Sequence, residues 1–98
     1  MGKHLILWSM SEGRIPVDRK ERGNAYGFLT AMVKQDIAKG ITKDWGAFPG
    51  EGRGYAVVEG TYLEIMQMTE QYAPYVRFEI HPSASLSEVD DLIKHLTG

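Results

Sequence analysis

The sequence predicts an α+β domain with element order β-α-β-β-α-β and a closing helix. Three observations carry this expectation. Two apolar, β-favouring runs flank Pro49-Gly50-Glu51-Gly52, a strong hairpin turn. Val76, Phe78 and Ile80 alternate with Tyr75, Arg77, Glu79 and His81, a strict period of two. Thr61 with Glu64, and Ser85 with Glu88, have capping-box spacing at the start of apolar helical patterns.

The elements follow in order. Leu5-Ile6-Leu7-Trp8 reads as a short strand, apolar on both sides. Ser11 to Pro16 is a polar connection. A helix then begins between Asp18 and Asn24, either of which can cap it. Ala25, Phe28, Leu29, Met32, Val33 and Ile37 form its stripe. Lys39-Gly40-Ile41 is a stop signal, with Gly where φ must turn positive. Ile41–Phe48 and Arg53–Glu59 are the hairpin strands. A second helix starts at Thr61, with Leu63, Ile65, Met66 and Tyr72 on its apolar side and Met68 broadening the stripe. Pro74 ends it. Tyr75–His81 is the fourth strand, and Val89, Leu92, Ile93 and Leu96 point one way on the last helix.

Right-handed crossovers around a central hairpin make this order a ferredoxin-like sandwich, a four-stranded antiparallel sheet of order 4-1-3-2 in one domain over residues 1–98. Val76, Phe78, Ile80, Ala56 and Val58 should point at the helices. The open face receives Tyr75, Arg77, Glu79 and His81, with Tyr55, Val57 and Glu59. Strand one adds either His4, Ile6 and Trp8 or Leu5 and Leu7; the first set is favoured because it gives His4 polar company. Such a face is too apolar for bare water, and a second copy across a two-fold axis would cover it.

In element order and face pattern the chain resembles the dimeric α+β-barrel proteins, which include muconolactone-isomerase-like and antibiotic-biosynthesis-monooxygenase-like members. The hairpin Trp45-Gly46, Gly52-Arg53-Gly54-Tyr55 and Glu59-Gly60 is similar to that of small bacterial and archaeal proteins of this type. The resemblance implies a homodimer and a barrel pocket, not a particular reaction.

Composition narrows the classes. The 98 residues carry a formal net charge of −2, which gives no electrostatic footprint for nucleic acid or an anionic membrane. Cysteine is absent, which excludes disulfides, thiolate metal sites and thiol nucleophiles. The amino-terminal apolar run is too short for a signal peptide, Ile6 stands where a myristoylation signal wants Ser or Thr, and no run suits a membrane span. A cytoplasmic protein is expected.

Antiparallel pairing brings the start of strand one beside the ends of strands three and four. His4, Glu59, Glu79 and His81 are therefore expected together, with Arg77 a step further in. Imidazoles and carboxylates in a partly apolar cleft suit general acid–base chemistry: His81 or His4 as base, Glu59 or Glu79 as its orienting partner, Arg77 as anion-stabilising donor. The plainer reading is an ionic network at a dimer rim. Glu79, His81 and His4 are also compatible in type with zinc or iron, but the spacing is unspecific and no metal or cofactor is assigned. Trp8, Trp45, Tyr55 and Tyr75 would line an aromatic cavity for a small organic ligand or pack an interface. The hairpin parity leaves the face of Trp45 open.

Gly50, Gly52 and Gly54 do not form a phosphate loop and read as turn glycines. An RNA-recognition reading of the strand order is opposed by the acidic balance and by Glu59 and Glu79. Two functions remain: a homodimeric binding or interaction module using the open sheet face, or a cofactor-independent isomerase- or monooxygenase-like enzyme on a small organic substrate.

Overall fold

A computed structural model describes residues 2–98. The strands are β1 (Gly2–Met10), β2 (Thr42–Phe48), β3 (Arg53–Gly60) and β4 (Val76–Ser83); the helices are α1 (Arg19–Ala38), α2 (Tyr62–Glu70) and α3 (Leu86–Thr97). A single 3-10 turn at Glu12–Arg14 leads from β1 towards α1. The sheet order is β2-β3-β1-β4 with every neighbour antiparallel, the ferredoxin-like arrangement expected from the element order. Among the described residues no helix is long and apolar enough to cross a membrane.

Local chemistry sets the boundaries. Asp18 caps α1 by accepting from the Glu21 amide at 3.0 Å, so the helix starts at the earlier of the two expected caps. Its end is a Schellman motif. Gly40, at φ 82°, donates to the Ile37 carbonyl at 3.0 Å, and Ile41 donates to the Asp36 carbonyl at 3.2 Å. Both capping boxes form, at Thr61/Glu64 and Ser85/Glu88. In the hairpin the Glu51 amide donates to the Phe48 carbonyl at 3.2 Å, with Gly50 at φ 77°; Pro49-Gly50 thus forms a type II turn. The outer strand β2 carries a register shift between Thr42 and Asp44, and Pro82 lies in the other outer strand, β4.

The pairing corrects the expected face of β1. Ile6 stands opposite both Ala56 and Ile80, and Trp8 opposite Gly54 and Phe78. Because side chains alternate strictly, His4, Ile6 and Trp8 join the helix side, and Leu5 and Leu7 take the open side. The buried core is Ile6, Leu29, Ala56, Val58, Ile65, Met68 and Tyr72, with Met32, Val33, Val76 and Phe78 packed against it.

The helix stripes also differ from expectation. On α1, Phe28 and Ile37 are exposed and Asp36 is buried; on α2, Leu63 and Met66 are exposed while Ile65 and Met68 point inward. Among the described residues the final helix, α3, has its apolar side exposed and no other element packs closely along it.

Candidate functional site

A cavity of about 470 Å³ lies between the helix side of the sheet and α1, within the range of small-molecule sites. Its construction begins with two small residues. On β3, Gly54 and Ala56 face the helices between β1 and β2, leaving room above them for large side chains. Trp8 leans in from β1 and Trp45 from β2, and their rings stack at 5.3 Å with planes 7° apart. The Trp8 indole N–H donates to the Tyr55 carbonyl at 3.2 Å, which fixes its orientation. A Cβ on Gly54 would strike the Gly46 carbonyl oxygen and the Trp8 ring. Gly54 is thus a close-approach glycine, not the turn residue expected; Gly50 and Gly52, at φ 77° and 65°, are turn glycines.

The rest of the wall comes from Leu29 and Val33 on α1, Met68 on α2, and Tyr72 and Phe78. Phe48, Gly50, Gly52 and Arg53 belong to its hairpin end. Arg53 pairs with Glu51 at 3.6 Å, and its guanidinium lies 5.9 Å from the centre of the Phe48 ring. The lining therefore offers flat, mainly apolar surface, which suits a flat, largely uncharged molecule; the Arg53 side chain, in the parity of Tyr55 and Val57, belongs to the open side of the sheet.

Behind the wall is a polar cluster that sequence reasoning missed. Asp36 is 3% exposed. It accepts from the Tyr72 hydroxyl at 2.6 Å and from Gln71 Nε2 at 3.0 Å to each oxygen. Burial, and then the bond to Asp36, push the Tyr72 phenol well above its ordinary range. A signal was available: Asp36 continues the Leu29, Met32, Val33 spacing, so a carboxylate sits on the inward stripe of α1.

The expected site residues divide between the two sides of the sheet. Trp8 and Trp45 line the cavity; Tyr55 does not, since its hydroxyl donates to Asp44 Oδ2 at 3.0 Å on the open side and is raised in pKa by that bond. Tyr75, just before β4, is also outside it. On the open side His81 Nε2 donates to Glu79 Oε2 at 2.8 Å, Glu59 pairs with Lys43 at 3.6 Å, and Arg77 stands opposite Ser9.

His4 is not part of that group. It is 3% exposed on the helix side, its Nδ1–H donating to the Gly2 carbonyl at 3.2 Å and its ring edge-on to Tyr62 at 5.4 Å. Its polarity is satisfied locally, so it needs no polar neighbours across the sheet. Among the described residues no three His, Asp or Glu side chains gather as a metal-ligating set. The chain matches no protein-family model and no curated protein sequence.

Proposed function

We propose that the chain is a homodimeric binding module whose open sheet face is its contact surface, in the manner of the dimeric α+β-barrel proteins. The observation that carries this reading is the composition of that face. Leu5, Leu7, Tyr55 and Val57 occupy its centre in two neighbouring rows across β3 and β1. Lys3, Arg53, Glu59, Arg77, Glu79 and His81 border them. An apolar centre ringed by charges is the anatomy of a protein interface. Sedimentation velocity at micromolar concentration tests it. The expected mass is twice 11.0 kDa, and Val57→Lys should give a folded monomer. A wild-type monomer, or a dimer indifferent to Val57→Lys, would refute the reading.

A second reading, a cofactor-independent enzyme or carrier for a small organic molecule, is favoured by the cavity beside Trp8 and Trp45. It uses different residues from the open-face pair His81 and Glu79, which stands on the other side of the sheet. The natural probe is 1-naphthol, flat and uncharged. Saturable quenching of tryptophan fluorescence at one molecule per chain is expected, lost in Ala56→Leu, which fills the cavity floor. Unsaturable quenching, or equal binding by that variant, would overturn this second reading.

A further inference from the structure

We propose that α3 is an exchanged arm, its apolar side seated on a second copy of the chain while the partner's helix is seated reciprocally. This rests on the two-copy reading above and adds a second contact to it.

The helix is built to bury one side. Leu86, Val89, Ile93 and Leu96 recur at alternating intervals of three and four, with Leu92 beside them, forming a continuous apolar stripe. In the single chain these residues are 78%, 40%, 50%, 72% and, for Leu92, 53% exposed, and among the described residues no element packs closely along them. The capping box closes the first turn with the side chains of Ser85 and Glu88. Yet a twelve-residue helix without tertiary packing is marginal in water. The stripe needs a partner.

Shape and area indicate how large the missing contact is. A compact 98-residue domain has a radius of gyration of about 13 Å; this chain has 16.4 Å and extents of 62 × 25 × 18 Å. A compact monomer of its mass exposes about 5,600 Å², whereas the chain exposes 7126 Å². The excess, about 1,500 Å² per chain, becomes about 3,000 Å² when two copies meet, within the span of permanent homodimers.

Charge is compatible with a second copy as the occupant. Asp90 and Asp91 on α3 have no ion-pair partner among the described residues, and Lys3 and Arg77 on the open sheet face have none either. Two copies supply both signs to each other, and a net charge of −2 opposes their approach little.

The test combines full-length variants with hydrogen exchange. Leu92→Glu and Ile93→Glu should each weaken dimerisation by roughly a hundredfold, with far-UV circular dichroism of the β-sheet retained. Amides from Val89 to Leu96 should be protected in the wild-type dimer and lose protection on dilution below its dissociation constant. A dimer that Val57→Lys breaks and Leu92→Glu and Ile93→Glu leave intact would keep the sheet contact and sink the exchanged arm. Concentration-independent protection of α3 would place the helix on its own chain and sink it too. A wild-type monomer would remove both proposals together.

Discussion

Replacing Tyr72 by Phe isolates the bond that holds the buried carboxylate. The ring would keep its place in the cavity wall and its edge-on contact with Phe78, at 5.8 Å, so only the hydroxyl is lost. That hydroxyl donates to Asp36 at 2.6 Å, and Asp36 would be left with Gln71 alone. A hydrogen bond to a charged acceptor contributes roughly 1.5–3 kcal/mol, and this one is buried, so a loss of about 2 kcal/mol is expected. For a chain of this length the entropy of unfolding is about 0.2 kcal/mol/K, which converts that loss to a fall of about 10 °C in Tm.

The same bond has a signature in pH. The folded-state pKa of Tyr72 lies above its ordinary value of 10.0, so its contribution is complete below pH 10 and disappears as pH rises towards the folded value. Urea denaturation at pH 7 and at intervals above pH 9 reads both effects. Wild type should lose stability on the alkaline side more steeply than Tyr72→Phe, whose remaining alkaline loss includes Tyr55, also raised, through Asp44. Equal stability at pH 7, or parallel alkaline limbs, would refute the assignment of Asp36 and Tyr72 as a coupled buried pair.

Other outcomes follow from the same geometry. Gly54→Ala should destabilise the fold by about 2 kcal/mol, since the added methyl meets the Gly46 carbonyl and the Trp8 ring; near-ultraviolet circular dichroism should register the displaced indoles. Ile6→Ala, at a position 1% exposed, should cost about 3 kcal/mol in urea denaturation and far exceed the effect of Leu5→Ala on an isolated chain. Glu64 and Glu88 have pKa values held down by their bonds to Thr61 and Ser85. Their stabilising contribution is complete above the ordinary carboxylate value and is lost as pH falls through the lowered one. Helical circular dichroism should therefore decline on acidification, and Glu88→Gln should reduce that decline.

The elements were legible in the sequence wherever a local rule chose one conformation. Both capping boxes, the Lys39-Gly40-Ile41 stop and the Pro49-Gly50 turn act within a few residues, and each formed. The alternation in β4 was equally readable, because its apolar residues occupy one parity, and the phase of β3 followed from Gly54 and Ala56, which share a parity with Val58. β1 was different. Leu5, Ile6, Leu7 and Trp8 are apolar at both parities, so its phase depended on register with Ala56 and Ile80, and the polarity of His4 pointed to the wrong side. The Gly2 carbonyl and the Tyr62 ring accommodate that imidazole in the core. The expected site divided for the same reason, since one step of parity carried His4 and Trp8 away from Glu79 and His81. Asp36 was missed because a single carboxylate within an apolar stripe was not traced to Tyr72, thirty-six positions on.

The irregularities at the two margins of the sheet also decide how copies can add to one another. β2 is interrupted by its shift between Thr42 and Asp44, and β4 includes Pro82, which offers no amide hydrogen to a newcomer. Neither margin therefore makes a clean template for a further strand. Growth sideways into a ribbon of many chains is discouraged at both ends, so that the flat-on contact proposed above is the one the strand margins leave open.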